Sequence, residues 1–76
     1  MVKYITVIAK MANTGVVSPI SIIWEDGREF IIDKVIEQRP KASTKGGGKG
    51  TRYTVRIKDQ EKHLFLNEYY WFIEID

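Results

Sequence analysis

Apolar residues return at every second position along most of this chain, and that period decides what it can fold into. Ile5, Val7, Ala9 and Met11 alternate with Tyr4, Thr6, Ile8 and Lys10; Ile20, Ile22 and Trp24 alternate with Ser21, Ile23 and Glu25. Tyr53, Val55 and Ile57 alternate in the same way with Arg52, Thr54, Arg56 and Lys58. Successive side chains of a strand point to opposite faces, so each run sorts itself into a core face and a second face. Two further runs, "KHLFL" and "YYWFIEI", are rich in aromatic and branched residues and are bounded by turn formers. No window of eleven residues carries a helical stripe. The chain is expected to be all-β.

The turn "WEDGREF" admits two registers. A two-residue loop sets Ile22 opposite Ile31 and turns Phe30 and Ile32 away from Trp24. A three-residue loop of Glu25, Asp26 and Gly27 pairs Trp24 with Arg28, Ile22 with Phe30 and Ile20 with Ile32, gathering five apolar side chains on one face. The second is chosen, with Gly27 in the left-handed conformation that a type I turn plus bulge requires. Beyond Ile32 the alternation breaks at Asp33 and Lys34, which predicts a bulge that bends a long strand. Bending of this kind curls a small sheet toward a barrel.

A chain of 76 residues makes one domain, residues 1–76, with a small core. It has no cysteine, so neither a disulfide framework nor a thiolate zinc site supplements that core, and a cytoplasmic location is expected. The opening "MVKYITVIAK" is too short and too polar for a membrane span and reads as the first strand; no membrane partner is expected.

Charge is segregated. From Arg39 to Lys58 the chain carries seven basic residues and no acidic one, while the remainder holds five basic and ten acidic groups, so a net +2 hides local charges of +7 and −5. Such a distribution fits an anionic partner, either nucleic acid or an acidic protein surface, and fits equally a solvated strand edge.

The glycine-rich stretch "STKGGGKGT", within a basic loop at about 41–50, is spelled much like a nucleotide-cradling loop. Counting back from Gly48 and Lys49, however, Ser43 stands where the first glycine belongs, and Gly50 follows where a hydroxyl residue should. Six residues resemble the Gly-x-Gly-Lys-Gly-Thr variant of nucleoside monophosphate kinases. That motif acts by opening a helix whose amides face the phosphate, whereas "TRYTVRIK" alternates as a strand. The stretch therefore reads as a flexible strand connection whose glycines and lysines also suit a nucleic-acid backbone.

Catalytic constellations are not evident. His63 is the only histidine and has no nucleophile or metal-ligating companion at a telling spacing, and the carboxylates Glu25, Asp26, Asp33 and Glu37 read as turn and strand residues. A non-enzymatic chain with no metal and no cofactor is expected. Tyr69, Tyr70, Trp71 and Phe72 are consecutive, so one face of the closing strand is surplus to the core and is left for a covering loop, a partner chain or a stacked base.

The segments "SIIWEDGREFIIDKV", "KASTKGGGKGTRYTVRI" and "YYWFIEI" together resemble a family of short, uncharacterised all-β proteins from Gram-positive bacteria, over most of the chain. The layout is also similar to small barrel-like domains found beside DNA-repair polymerases. The first resemblance implies no activity; the second favours nucleic acid.

The expected fold is thus about six antiparallel strands in a strongly curved sheet or small SH3-like barrel, with no substantial helix. Its core is expected to contain Ile5, Val7, Ile20, Ile22, Trp24, Phe30, Ile32, Val35, Tyr53, Val55, Ile57, Leu64, Trp71 and Ile73. The expected function is a small binding module contacting a nucleic-acid backbone through Lys41, Lys45, Lys49, Arg52, Arg56 and Lys58. The alternative is a protein-interaction or homodimerisation module using Tyr70 and Phe72.

Overall fold

Seven antiparallel strands build the computed structural model, which describes residues 2–42, 49–68 and 70–74, and no helix occurs among the described residues. They are β1 (Val2–Met11), β2 (Val17–Ile23), β3 (Glu29–Ile31), β4 (Lys34–Ala42), β5 (Lys49–Ile57), β6 (Gln60–Asn67) and β7 (Tyr70–Glu74). Their order across the sheet is β3-β2-β1-β7-β6-β5-β4.

Two corners roll this sheet into a strongly curved half-barrel. At the first, β1 changes partner: Val2 to Ile5 pair with β7, and Thr6 to Met11 with β2. At the second, consecutive amides serve opposite ends of the strand order, because Ile32 donates to the carbonyl of Ile20 at 2.9 Å and Asp33 donates to that of Arg56 at 2.8 Å. The two outermost strands, β3 and β4, are therefore joined by two residues. The break in alternation at Asp33 is this corner, and it divides the one long strand read from the sequence into two, giving seven strands instead of about six.

The β2–β3 hairpin adopts the three-residue loop. Ile22 pairs with Phe30, the amide of Trp24 reaches the carbonyl of Arg28 at 2.8 Å, and Gly27 has φ 90°. Asp26 accepts the Arg28 amide at 3.0 Å and its Nε at 2.6 Å, which holds the exposed Asp26 carboxyl below its usual range. The β5–β6 turn is a two-residue loop in which Lys58 and Asp59 both take positive φ, 50° and 64°, the geometry that matches strand twist.

Ile22, Ile32, Tyr53, Val55, Ile57 and Leu64 form the buried core, with Ile5, Val7, Trp24, Phe30, Val35, Leu66, Trp71 and Ile73 packed against them. The expected core departs from this at two residues. Leu66 joins it, and Ile20 leaves it, remaining 44% exposed. The ladder between β1 and β2 shifts register between Ile8 and Ala9, so Ser21 faces Ile8, Pro19 faces Ala9, and Ile20 is the unopposed residue of a bulge.

Candidate functional site

The outer face of the five strands from β4 to β1 carries one cross-strand row. Register places Arg39 beside Arg52, Arg52 beside Phe65, Phe65 beside Phe72 and Phe72 beside Tyr4. Four strand spacings give this row a width of about 19 Å. Tyr53, Val55 and Leu64 point into the core, so their neighbours Arg52, Thr54 and Phe65 must point outward.

The aromatic half of the row has a buried base and an exposed top. Phe65 and Phe72 stack with ring centroids 5.3 Å apart and planes 11° from parallel, and both are buried. Tyr4 meets Phe72 and Tyr70 edge-on, each at 6.0 Å. Tyr4 and Tyr70 themselves stay 65% and 62% exposed. Tyr4 is held from below by Phe72 and Tyr70 leans edge-on against Tyr4, which leaves the upper parts of both rings to solvent.

In the basic half, two guanidiniums share one carboxylate. Glu37 receives Arg39 at 2.9 Å and Arg52 at 3.5 Å, the second contact long enough to be weak. The Arg52 Nε is buried and has no acceptor. One anion against two cations leaves positive charge and an open donor beside the phenyl rings. A bulge creates this arrangement: the β4–β5 ladder slips between Val35 and Glu37, which sets Glu37 opposite Thr54, one residue from the position simple alternation would give it.

Of the expected backbone-binding residues, the fold brings some together and separates others. Arg52 is in the row, and the register positions of Lys41, opposite Gly50, and Lys49, opposite Ala42, lie at the same end of the β4–β5 ladder. Arg56 is exposed on the outer face nearer the other end, between the positions of Lys34 and Glu61. Lys58 leaves that face for the β5–β6 turn, where its ammonium lies 5.2 Å from the Phe30 ring centroid. It borders a cleft of about 770 Å³ between this turn and the β2–β3 hairpin. The expectation that Arg52, Thr54, Arg56 and Lys58 share one face fails at Lys58, because the positive φ of the turn redirects the chain there. Lys45 lies outside the described residues.

Tyr70 is exposed as a contact residue must be, but Phe72 is 2% exposed beneath Tyr4 and is a support, not a contact. Arg39 and Tyr4 complete the row without having been singled out. Tyr4 could have been found by carrying the outward parity of β1 across to the closing strand; Glu37 could not, since the bulge that positions it leaves no mark in the alternation. Among the described residues no group of three or more histidine, aspartate or glutamate side chains is placed to hold a metal. Compared with protein-family models, curated proteins and solved structures, the chain matches none.

Proposed function

We propose that the chain is a small binding module whose outer face takes single-stranded nucleic acid, with bases against Tyr4 and Tyr70 and phosphates against Arg39 and Arg52. The observation that carries this reading is one outer face on which two largely exposed tyrosines, Tyr4 edge-on against the buried Phe72 and Tyr70 edge-on against Tyr4, stand across the Phe65–Phe72 stack from two guanidiniums sharing one carboxylate. Proteins that hold single strands combine these two parts: aromatic faces that accept any base, and cations that track the backbone. A duplex offers its bases only by their edges and leaves the tyrosines unused. The register position of Lys41, two residues beyond Arg39 on β4, lies at the end of the ladder nearest the row and supports a cationic reading of that end.

Three to four phosphate contacts on a single strand give a slope of log affinity against log salt of about −2 to −3. Between 50 and 200 mM salt, affinity then falls roughly 20- to 50-fold. The test is titration of labelled single-stranded and duplex oligonucleotides at both salt concentrations, with Arg39→Ala and Tyr70→Ala as variants. Both replaced side chains are largely exposed, so the fold tolerates their removal. Tighter binding of the single strand, weakened by each variant, is expected. Absence of binding at low salt, or binding indifferent to both substitutions, eliminates the reading.

A further inference from the structure

We infer that the cleft between the β5–β6 turn and the β2–β3 hairpin binds a single aliphatic chain that ends in an anionic head, a carboxylate or a phosphate. It opens on the inner face of the sheet, away from the aromatic and basic row, and does not depend on the nucleic-acid reading. The cleft exists because two strands part. Among the described residues β6 pairs with β7 only from Phe65 to Asn67, although its pairing with β5 continues to Gln60. Past Phe65 the sheet opens beside the core, and the space of about 770 Å³ has the size of a small-molecule site.

Its floor and its rim differ in kind. Ile22, Ile57 and Leu64 line it as buried core residues, with Ile73 half-buried beside them. Alternation decides which charges face this floor. Lys62 stands opposite the fully buried Val55, so it belongs to the core face, at a position where a closed barrel would carry an apolar residue. Glu61 stands opposite Arg56, and Glu74 follows Phe72 by two residues, so both side chains start on the outer face although both residues border the cleft. Cations point in and carboxylates point out.

Two further cations complete the rim. The guanidinium of Arg28 lies 5.5 Å and the ammonium of Lys58 5.2 Å from the Phe30 ring centroid. Asp26 takes the Nε of Arg28, which leaves its terminal nitrogens as donors, and among the described residues no carboxylate pairs with the ammonium of Lys58 or Lys62. An apolar floor rewards hydrocarbon, and an uncompensated cationic rim rewards one negative end. Phe30 and Trp24 already have cations over their rings, Lys3 at 5.3 Å for Trp24, so a flat aromatic ligand has less to stack on than a flexible chain has to fill.

Amide and indole NMR shifts of the nitrogen-labelled chain test this, in titrations with hexanoate, octanoate, decanoate, decyl phosphate and decan-1-ol up to about 5 mM. Saturable shifts at Trp24, Lys62 and Leu64 are expected, with affinity rising up to roughly fourfold for each added methylene that is buried. The tighter of decanoate and decyl phosphate names the head. Decan-1-ol should bind more weakly, and the double variant Lys58→Asn, Lys62→Gln should weaken decanoate roughly tenfold. Both lysines are exposed and asparagine suits the positive φ at position 58, so the fold is expected to persist, as circular dichroism shows. No saturable shift with either anionic head overturns the inference. So does decan-1-ol binding as tightly as both anions, decanoate binding indifferent to the double variant, or a shift pattern centred on Tyr4 and Tyr70, which assigns the ligand to the outer row.

Discussion

Gly50 packs so closely against the main-chain carbonyl of Leu66 that a Cβ on it would overlap that oxygen. One glycine of the run that resembles a phosphate loop is thus required by strand pairing, since β5 meets β6 at this point with no room for a side chain. Gly50→Ala is expected to force the strands apart locally and to cost about 1–3 kcal/mol, the range for overpacking a site that cannot relax. Urea denaturation measures this directly; an unchanged midpoint refutes the tight approach.

A second backbone prediction concerns the β5–β6 turn. Lys58 and Asp59 both hold positive φ, a conformation that costs residues with a side chain roughly 1 kcal/mol each and suits asparagine and glycine. Replacing the pair by Asn-Gly should stabilise the chain by about 0.5–1 kcal/mol. Thermal unfolding compares the two; a lower melting temperature for the variant means that the Lys58 ammonium over Phe30 contributes more than the turn strain costs.

Tyr53 provides a pH dependence. Burial disfavours its phenolate and raises its pKa above the usual 10.0. Because the folded value exceeds the unfolded one, the folded state holds the proton more tightly. The resulting stabilisation is complete below pH 10.0 and is lost as pH rises through the folded value. Absorbance at 295 nm should show at least one phenol ionising late, together with the loss of structure. In Tyr53→Phe the late component disappears and the alkaline unfolding limb moves to higher pH.

The residues that were legible in advance and those that were not differ in physical kind. Alternation placed nearly all of the core and, through Trp24 and Phe30, selected the correct loop length, because a one-residue slip would have turned each of those side chains to water. Asp33 and Lys34 marked a corner because they interrupt an apolar run. The bulges at Ile20 and at Ile36 interrupt nothing visible: each is followed by residues that fit either parity, and so the exposure of Ile20 and the placing of Glu37 between two arginines emerge only from the register. The basic cluster was counted along the chain, but chain distance is a poor guide on a strand. Lys49 and Ile57 stand at opposite ends of β5, about 26 Å apart, and no single patch gathers everything between them.

Glu37 then becomes the sharpest probe of the basic half of the row. Its carboxylate meets both Arg39 and Arg52, so it competes with any phosphate for them. Glu37→Gln should tighten single-strand binding several-fold at low salt and steepen the salt slope by about 0.7 if it adds one phosphate contact. Stability should change by under about 1 kcal/mol, as for other exposed ion pairs. Fluorescence anisotropy at several salt concentrations gives both quantities, and weaker binding contradicts the assignment of these guanidiniums to phosphate.

Phe72 and Tyr70 are two residues apart on the same face of β7, yet substitution should separate them completely. Phe72 is buried in a stack with Phe65, with Tyr4 edge-on above it, so Phe72→Ala leaves a cavity and is expected to cost about 3–5 kcal/mol, a large share of what so small a domain has. Tyr70 is mostly exposed and meets Tyr4 only at one edge; Tyr70→Ala removes that contact for about 1 kcal/mol or less. Guanidinium denaturation of the two variants reads the difference. Loss of oligonucleotide binding in Phe72→Ala reports lost structure and says nothing of contact, whereas the same loss in a fully folded Tyr70→Ala identifies a ring that touches the ligand. Equal destabilisation by both substitutions removes the distinction between the buried base and the exposed top on which the stacking surface rests.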